Sequence, residues 1–127
     1  MGLEFLRSTP FRDYIEENPE KMRECCLQLI PKGGILVAER EGKLTGMIGF
    51  FVFPHFLSGE TMCAEMFWWV EWKHRAGTGI RLMRAAEKAG KEAGATKMLM
   101  VAPIDEVAQM YVRMGYQFSE ASYWRNL

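Results

Sequence analysis

The chain has 127 residues, of which 49% are apolar and 25% are charged, and its sixteen basic residues balance sixteen acidic ones. This length and composition predict one globular domain over residues 1–127 with a substantial core. The neutral net charge disfavours a nucleic-acid partner, and no apolar run is long enough to span a bilayer, so we expect no membrane partner either. The polar N-terminus lacks the pattern of a signal peptide, which favours a cytoplasmic location.

The three cysteines do not indicate a metal site or a disulfide framework. Cys25 and Cys26 are adjacent, and Cys63 lies far from both in the sequence. An odd number of cysteines does not suit a disulfide framework, and this spacing does not suit zinc. We therefore expect reduced thiols and no metal.

The first half of the chain predicts short helices followed by a hairpin. Proline is tolerated in the first turn of a helix, and the apolar residues between 19 and 30 recur at helical spacing. A short connection containing glycine separates two apolar runs, which is typical of a hairpin. The predicted elements are a strand at 3–6, helices that begin at Pro10 and Pro19, and strands at 35–40 and 44–53.

The second half of the chain predicts an alternation of strands and helices. Aromatic and apolar residues favour a buried strand at 61–72, and an amphipathic pattern follows it. The remaining predicted elements are a helix at 77–93, a strand at 96–103, a helix at 104–115 with Asp105 as its N-cap, and a strand at 116–126. A strand, helix and strand in succession require a right-handed parallel crossover. The fold class is therefore α/β, with a mixed central sheet flanked by helices.

The sequence H-R-A-G-T-G at 74–79 lies where the buried strand meets the amphipathic helix. Free backbone N–H groups and the helix dipole favour an anion at such a position, and glycines allow a phosphate to approach closely. A tight turn with no ligand explains a bare G-x-G equally well. The third glycine of a dinucleotide fingerprint and the lysine of a P-loop are both missing from the segment.

A second segment, A-Q-M-Y-V-R-M-G-Y at 108–116, changes this balance. Together with 74–79 it resembles the GNAT superfamily of acyl-CoA-dependent N-acetyltransferases, which carries a [Q/R]-x-x-G-x-[G/A] turn and a later A-x-x-x-Y-x-x-x-G-[F/Y] segment. The resemblance covers roughly 62–120 and is looser over 34–53. It implies a GNAT-like fold and acetyl transfer from acetyl-CoA to a primary amine by direct attack in a ternary complex.

The resemblance also implies roles for individual residues. Acetyl-CoA is expected to lie along the main chain of Trp69 and Val70, and Tyr111 matches the general acid that protonates the leaving thiolate. Arg113 lies where relatives carry a cation near the 3′-phosphate of CoA. The family pattern places His74 at the head of the phosphate motif, with Arg75 as the alternative. The pyrophosphate would rest on the amides of Arg75, Ala76, Gly77, Thr78, Gly79 and Ile80.

The general base is predicted from the buried strand. In a regular strand Glu65 shares a face with Phe67 and Trp69, and apolar neighbours raise the pKa of a carboxyl toward neutrality. A bulge would break that alternation. Glu71 is a second candidate base and His55 a third, while a water chain would also serve.

Two further predictions concern partners. The same fold can serve as a catalytically silent acyl-CoA-binding or protein-interaction module, and His74 at the motif head is the feature that favours this alternative. The last strand is a candidate surface for a homodimer.

Overall fold

A computed structural model describes residues 1–75 and 77–127 of the chain. The predicted contact of Ala76 with a cofactor lies outside these residues. The helices are α1 (Gly2–Arg7), α2 (Pro19–Leu29), α3 (Arg75–Glu92) and α4 (Asp105–Arg113), and the strands are β1 (Ile35–Arg40), β2 (Lys43–Pro54), β3 (Thr61–Val70) and β4 (Lys97–Leu99). Short 3₁₀ helices occupy Pro10–Asp13, Ile30–Lys32 and Trp72–His74.

The four strands form one mixed sheet in the order β1-β2-β3-β4. Strands β1, β2 and β3 are antiparallel neighbours, and β4 runs parallel to β3. A parallel pair needs a long crossover, and α3 provides it. The predicted α/β class with a mixed sheet and flanking helices is therefore confirmed.

The predicted hairpin forms between β1 and β2. Arg40 pairs with Lys43, so only Glu41 and Gly42 make the turn. Both have a positive φ, 51° and 73° respectively. A two-residue turn of this kind matches the right-handed twist of the strands that it joins, and glycine adopts such a φ without strain.

Strand β3 contains a bulge that changes which face its side chains occupy. Gly49 of β2 pairs with Phe67, but the next residue, Phe50, pairs with Glu65, so Met66 is an extra residue. Directly opposed residues share a face of the sheet. Odd-numbered residues of β3 before the bulge therefore lie on the same face of the sheet as even-numbered residues after it.

The main core lies between the sheet and α3. Its fully buried members come from β2, β3 and α3, namely Ile48, Phe50, Cys63, Val70, Leu82 and Ala86. On the other face of the sheet, the ring of Phe67 packs against Phe5 of α1 at a centroid distance of 6.2 Å. The predicted apolar stripe of α3 is confirmed, because Leu82, Met83 and Ala86 are all buried.

The predicted strand at 3–6 is wrong, because these residues belong to α1. Leu3, Glu4, Leu6 and Arg7 are strong helix formers, and a helix satisfies its own backbone hydrogen bonds without a neighbouring strand. Leu6 is buried in this arrangement.

The predicted strand at 116–126 is also wrong, because no regular element follows α4. Trp124 packs against aromatic residues near the N-terminus, while Phe118 and Tyr123 are exposed. Trp124 stacks on Tyr14 with centroids 5.8 Å apart and meets the edge of Phe11 at 6.1 Å. Alternation in the sequence does not by itself provide a pairing partner.

Smaller corrections concern the ends of elements. Helix α3 begins at Arg75 and not near Gly77, and β4 is confined to Lys97–Leu99. The N-cap of α4 is Ile104, which has no capping side chain, whereas Asp105 is the first helical residue. The Asp105 carboxylate still interacts favourably with the positive end of the helix dipole there.

None of the helices in the described residues is long and apolar enough to cross a bilayer.

Candidate functional site

The first turn of α3 contains the two glycines of the 74–79 motif, and each position requires glycine for a different structural reason. Gly77 has a φ of 79°, and a Cβ added there would meet nothing within 4 Å among the described residues. Gly79 is buried, and an added Cβ would lie 2.9 Å from Cζ2 of Trp68. Gly77 thus provides backbone freedom at an open position, and Gly79 allows α3 to approach β3 closely.

His74 and Arg75 lie on opposite sides of the motif. The Nδ1 atom of His74 is 3.3 Å from an Arg40 guanidinium nitrogen, and its Nε2 is 3.6 Å from a carboxylate oxygen of Glu71. His74 therefore faces a groove of about 510 Å³ between β1 and α3. The Nε of Arg75 instead donates a hydrogen bond to the carbonyl oxygen of Val70, 3.3 Å away, at the end of β3.

The side chain of Thr78 lines the β1–α3 groove and accepts a hydrogen bond from Arg81. Ile80 is exposed at the surface of α3, and Arg113 is exposed in the last turn of α4.

Pairing between β3 and β4 ends at Ala64, just before the bulge. Within the described residues their pairing is confined to Met62, Cys63 and Ala64 of β3 opposite Lys97, Met98 and Leu99 of β4. The second half of β3, which contains Trp69 and Val70, continues past this point and pairs only with β2. The edge of β3 beside the first turn of α3 thus presents main-chain groups of the kind that an extended ligand pairs with.

Glu65 and Tyr111 meet at a single residue, Val101, which follows β4. The backbone N–H of Val101 donates to Oε2 of Glu65 at 3.2 Å. The hydroxyl of Tyr111 donates to the carbonyl oxygen of the same residue at 3.2 Å. The structure therefore brings the predicted base and the predicted acid to the place where β3 and β4 separate.

The face predicted for Glu65 is wrong, because β3 is not regular. The bulge at Met66 pairs Glu65 with Phe50 on the α3 face of the sheet, together with Cys63 and Trp68. Phe67 is on the opposite face, against α1.

Burial nevertheless has the predicted effect on the Glu65 carboxyl. Desolvation raises its pKa from 4.5 to about 7, and the hydrogen bond from Val101 offsets only part of this rise. A carboxyl with such a pKa can accept a proton near neutral pH.

Tyr111 is held between two aromatic rings. Trp68 of β3 stacks on it with centroids 6.1 Å apart, and Tyr116 packs against it at 5.4 Å. The Tyr111 side chain is 5% exposed. Burial, and secondarily the charge of Glu65, raises the pKa of the Tyr111 phenol above its ordinary value, so the hydroxyl keeps its proton at neutral pH.

The indole nitrogen of Trp68 is an unpaired donor. Nε1 is buried and has no hydrogen-bond partner among the described residues. It lies 3.7 Å from the position that a Cβ on Gly79 would occupy, beside the first turn of α3. Buried polar groups in folded proteins are normally paired, so an acceptor atom from a ligand would complete this position.

The other candidate bases lie elsewhere. The Glu71 carboxylate forms ion pairs with Lys73 at 3.1 Å and with His74, at the far end of β3 from Glu65. His55 lies beyond the end of β2, and its Nδ1 accepts a local hydrogen bond from the Leu57 amide. His55 lies five positions along the chain from Phe50, the partner of Glu65, which corresponds to about 16 Å in a strand.

Val101, Tyr116 and Glu87 were not predicted as site residues. Val101 contributes only main-chain atoms, which leave no signal in a sequence. The bulge places Trp68 on the same face of the sheet as Glu65. Glu87 contributes to the site only through a hydrogen bond from Tyr116. The aromatic residue after Gly115 in the 108–116 segment was the one available signal for Tyr116.

In the part of the chain that the structure describes, no three His, Cys, Asp or Glu side chains are grouped so that they could hold a metal ion.

Solved structures with this fold include acetyltransferases. A putative acetyl transferase from Pyrococcus furiosus is 22% identical, with a TM-score of 0.67, covering 90% of this chain and 83% of that one. Glucosamine-6-phosphate N-acetyltransferase from Arabidopsis thaliana is 15% identical, with a TM-score of 0.72 and coverage of 98% and 87%. Ribosomal-protein-alanine N-acetyltransferase from Brucella melitensis biovar Abortus 2308 is 19% identical, with a TM-score of 0.66 and coverage of 87% and 83%.

Comparison with curated proteins gives no significant match. The sequence does match a family model over residues 3–116, and that model describes the Acetyltransferase (GNAT) family. The match spans most of the chain and includes both the first turn of α3 and Tyr111, and so the chain belongs to the GNAT family of acetyltransferases.

Proposed function

We propose that this protein is an N-acetyltransferase that moves an acetyl group from acetyl-CoA to a primary amine by direct transfer in a ternary complex. The meeting of Glu65 and Tyr111 at Val101, where β3 and β4 separate, is the observation that carries the proposal. Family membership supports the class of reaction, and two of the relatives named above, from Arabidopsis thaliana and Brucella melitensis, are N-acetyltransferases by name.

The first turn of α3 and the open edge of β3 fit acetyl-CoA. The main chain of Trp69 and Val70 would hold the pantetheine arm as an added strand. The backbone amides from Arg75 to Ile80 would hold the pyrophosphate, since N–H groups at a helix start favour an anion. Gly77 fits this role because no described residue lies near the position of its absent Cβ.

Arg75 is the better candidate to assist the phosphate. It lies at the Val70 carbonyl on the β3 side, whereas His74 is engaged by Arg40 and Glu71 in a different groove. Arg113 keeps its predicted role near the 3′-phosphate of CoA as part of the proposal.

The bound thioester would supply an activated acetyl group and a thiolate leaving group. The attacking amine must be neutral, and Glu65 would accept its proton, directly or through a water molecule. The raised pKa of Glu65, about 7, matches that task because the group is then available as a base near neutral pH.

Tyr111 would donate its phenolic proton to the departing sulfur. Its hydroxyl now donates to the Val101 carbonyl, so this proton must turn toward the thiolate during the reaction. Its raised pKa keeps the phenol protonated at neutral pH, so the proton is present when the thiolate forms.

The test is CoA release from acetyl-CoA with a panel of amines, for wild type and Tyr111→Phe. We expect kcat to fall about a hundredfold in the variant, with little change in CoA affinity by calorimetry. Tyr123→Phe is the matched control, because that tyrosine is 93% exposed, and it should behave as wild type.

Three outcomes contradict parts of the proposal. CoA binding without acetyl transfer to any amine would indicate the silent binding module. No thermal shift with CoA would exclude the proposed cofactor site. Full activity of Tyr111→Phe would remove Tyr111 as the acid.

A further inference from the structure

A partly buried hydrogen bond joins the segment after α4 to α3. The hydroxyl of Tyr116 donates to Oε1 of Glu87 at 2.6 Å. A carboxylate acceptor at this distance makes a strong, charge-assisted bond. Tyr116 and Glu87 are both partly buried, so the bond is shielded from competing water.

The same tyrosine is also fixed to Tyr111. Its ring centroid lies 5.4 Å from that of Tyr111, and its backbone N–H donates to the Tyr111 carbonyl oxygen at 3.0 Å. Since Trp68 covers another part of the Tyr111 ring at 6.1 Å, the phenol has an aromatic neighbour from β3 and one from the segment after α4.

Helix α3 connects this contact to the proposed cofactor site. Glu87 lies eight positions after Gly79, which is in the first turn, and this corresponds to about 12 Å along a helix. A helix of this length is a stiff spacer. The Glu87–Tyr116 bond therefore fixes the Tyr111 ring relative to the amides that would hold the pyrophosphate.

We infer that Glu87 and Tyr116 are positioning residues, which hold the Tyr111 hydroxyl at the distance from the α3 first turn that transfer of its proton to the CoA sulfur requires. The inference rests on the proposed function, because it assigns a purpose to the position of Tyr111. Neither residue needs to touch the substrate.

The test is a double-mutant cycle between positions 116 and 111. Tyr116→Phe keeps the ring that packs on Tyr111 and removes only the hydroxyl bound to Glu87. We expect it to lower kcat about tenfold, with the KM for acetyl-CoA within twofold of wild type. In the Tyr111→Phe background the same change should cause no further loss, because residues that act through one group are not additive.

Glu87→Gln provides a second route if Tyr116→Phe folds poorly. The amide oxygen still accepts the hydrogen bond but lacks the charge, so kcat should fall less than in Glu87→Ala, while both should keep the KM. Glu92→Gln, on the exposed part of the same helix, and Tyr123→Phe are the matched controls. Both controls should behave as wild type.

A structural measurement separates this inference from the proposed function. In the NMR spectrum of protein with isotope-labelled tyrosine, the Tyr111 ring signals are shifted by the rings of Trp68 and Tyr116, and Glu87→Ala should change them. Unchanged signals, unchanged kcat in Tyr116→Phe, or additive losses in the cycle would each overturn the inference. A wild type that transfers no acetyl group would instead overturn the proposed function, and changed ring signals would then still support the positioning of Tyr111.

Discussion

Glu65 is a carboxyl group whose burial costs the protein stability. The unfolded chain releases this proton near pH 4.5, but the folded protein holds it until about pH 7. Between these values the folded state carries more protons, so the free energy of unfolding falls as the pH rises through this window and stays lower above it. The cost corresponds to about 3 kcal/mol at high pH.

Glu65→Gln should therefore stabilise the protein while it inactivates it. We expect the free energy of unfolding in urea to rise by about 2 kcal/mol at pH 8 and to change little at pH 4. The wild-type kcat/KM should rise with pH through about 7, and the variant should lose this rise. Glu120→Gln, an exposed control, should change neither property. Equal effects on stability at both pH values would contradict the burial argument.

The neighbouring residues Arg75 and His74 are expected to differ in their effect on CoA binding. Because Arg75 lies at the end of β3 and His74 lies in the β1–α3 groove, we expect Arg75→Ala to weaken CoA binding about tenfold, which is ~1.4 kcal/mol. His74→Ala should change the dissociation constant less than twofold. Calorimetry with CoA measures both, and a larger loss in His74→Ala would reverse the assignment.

The sequence was sufficient to name Glu65 and Tyr111 as candidates but not to orient them. An alternating pattern assumes a period of two residues, and the extra Met66 shifts that period within one strand. Bulges depend on how two strands pair, so no local pattern in β3 reveals this one. The main-chain role of Val101 is likewise independent of its side chain.

At the level of elements, the first turn of α3 combines a helix start with two glycines that serve different purposes. The apolar stripe of α3, the hairpin turn and the aromatic composition of β3 all made their elements predictable from sequence. The segments 3–6 and 116–126 were not predictable, because a short apolar run becomes helix or strand according to its neighbours.

Alanine substitutions should separate the two glycines. Gly79→Ala places a methyl group 2.9 Å from Trp68, and we expect it to lower the free energy of unfolding by about 1 to 3 kcal/mol. Gly77→Ala strains a left-handed backbone at a cost of about 1 to 2 kcal/mol and also places a methyl group where the phosphate would lie.

Gly94→Ala is the matched control for Gly77→Ala. Gly94 has a φ of 91° and equally open surroundings, but it lies at the far end of α3. Denaturant unfolding should show similar losses for these two variants, whereas CoA affinity should fall only in Gly77→Ala. An equal loss of CoA affinity in both would remove Gly77 from the cofactor site.

At the level of the whole molecule, the sheet has two edge strands, each of which pairs with one neighbour only within the described residues. β1 pairs only with β2, and β4 pairs only with β3. Beside β4 lie exposed apolar side chains, namely Leu99, Val101, Ile104 and Val112, and the segment after α4 exposes Phe118 and Tyr123. Open edges next to apolar surface favour association between chains.

Homodimer formation through the last segment remains a prediction. We expect the full chain to self-associate with rising concentration in sedimentation velocity, and a chain of residues 1–117 to remain monomeric. The truncation removes the contacts of Trp124 with Phe11 and Tyr14, so its melting temperature should fall moderately without loss of the fold. A full chain that stays monomeric at every concentration would rule the dimer out.

The Val101 peptide group has a consequence for observing the reaction. Its N–H points at Glu65 and its carbonyl oxygen at Tyr111, so one amide experiences the charge of the base and the orientation of the acid together. The amide proton is therefore a built-in reporter. Its resonance follows the ionisation of Glu65 as the pH changes, and its rate of exchange with solvent deuterium records how often that contact opens.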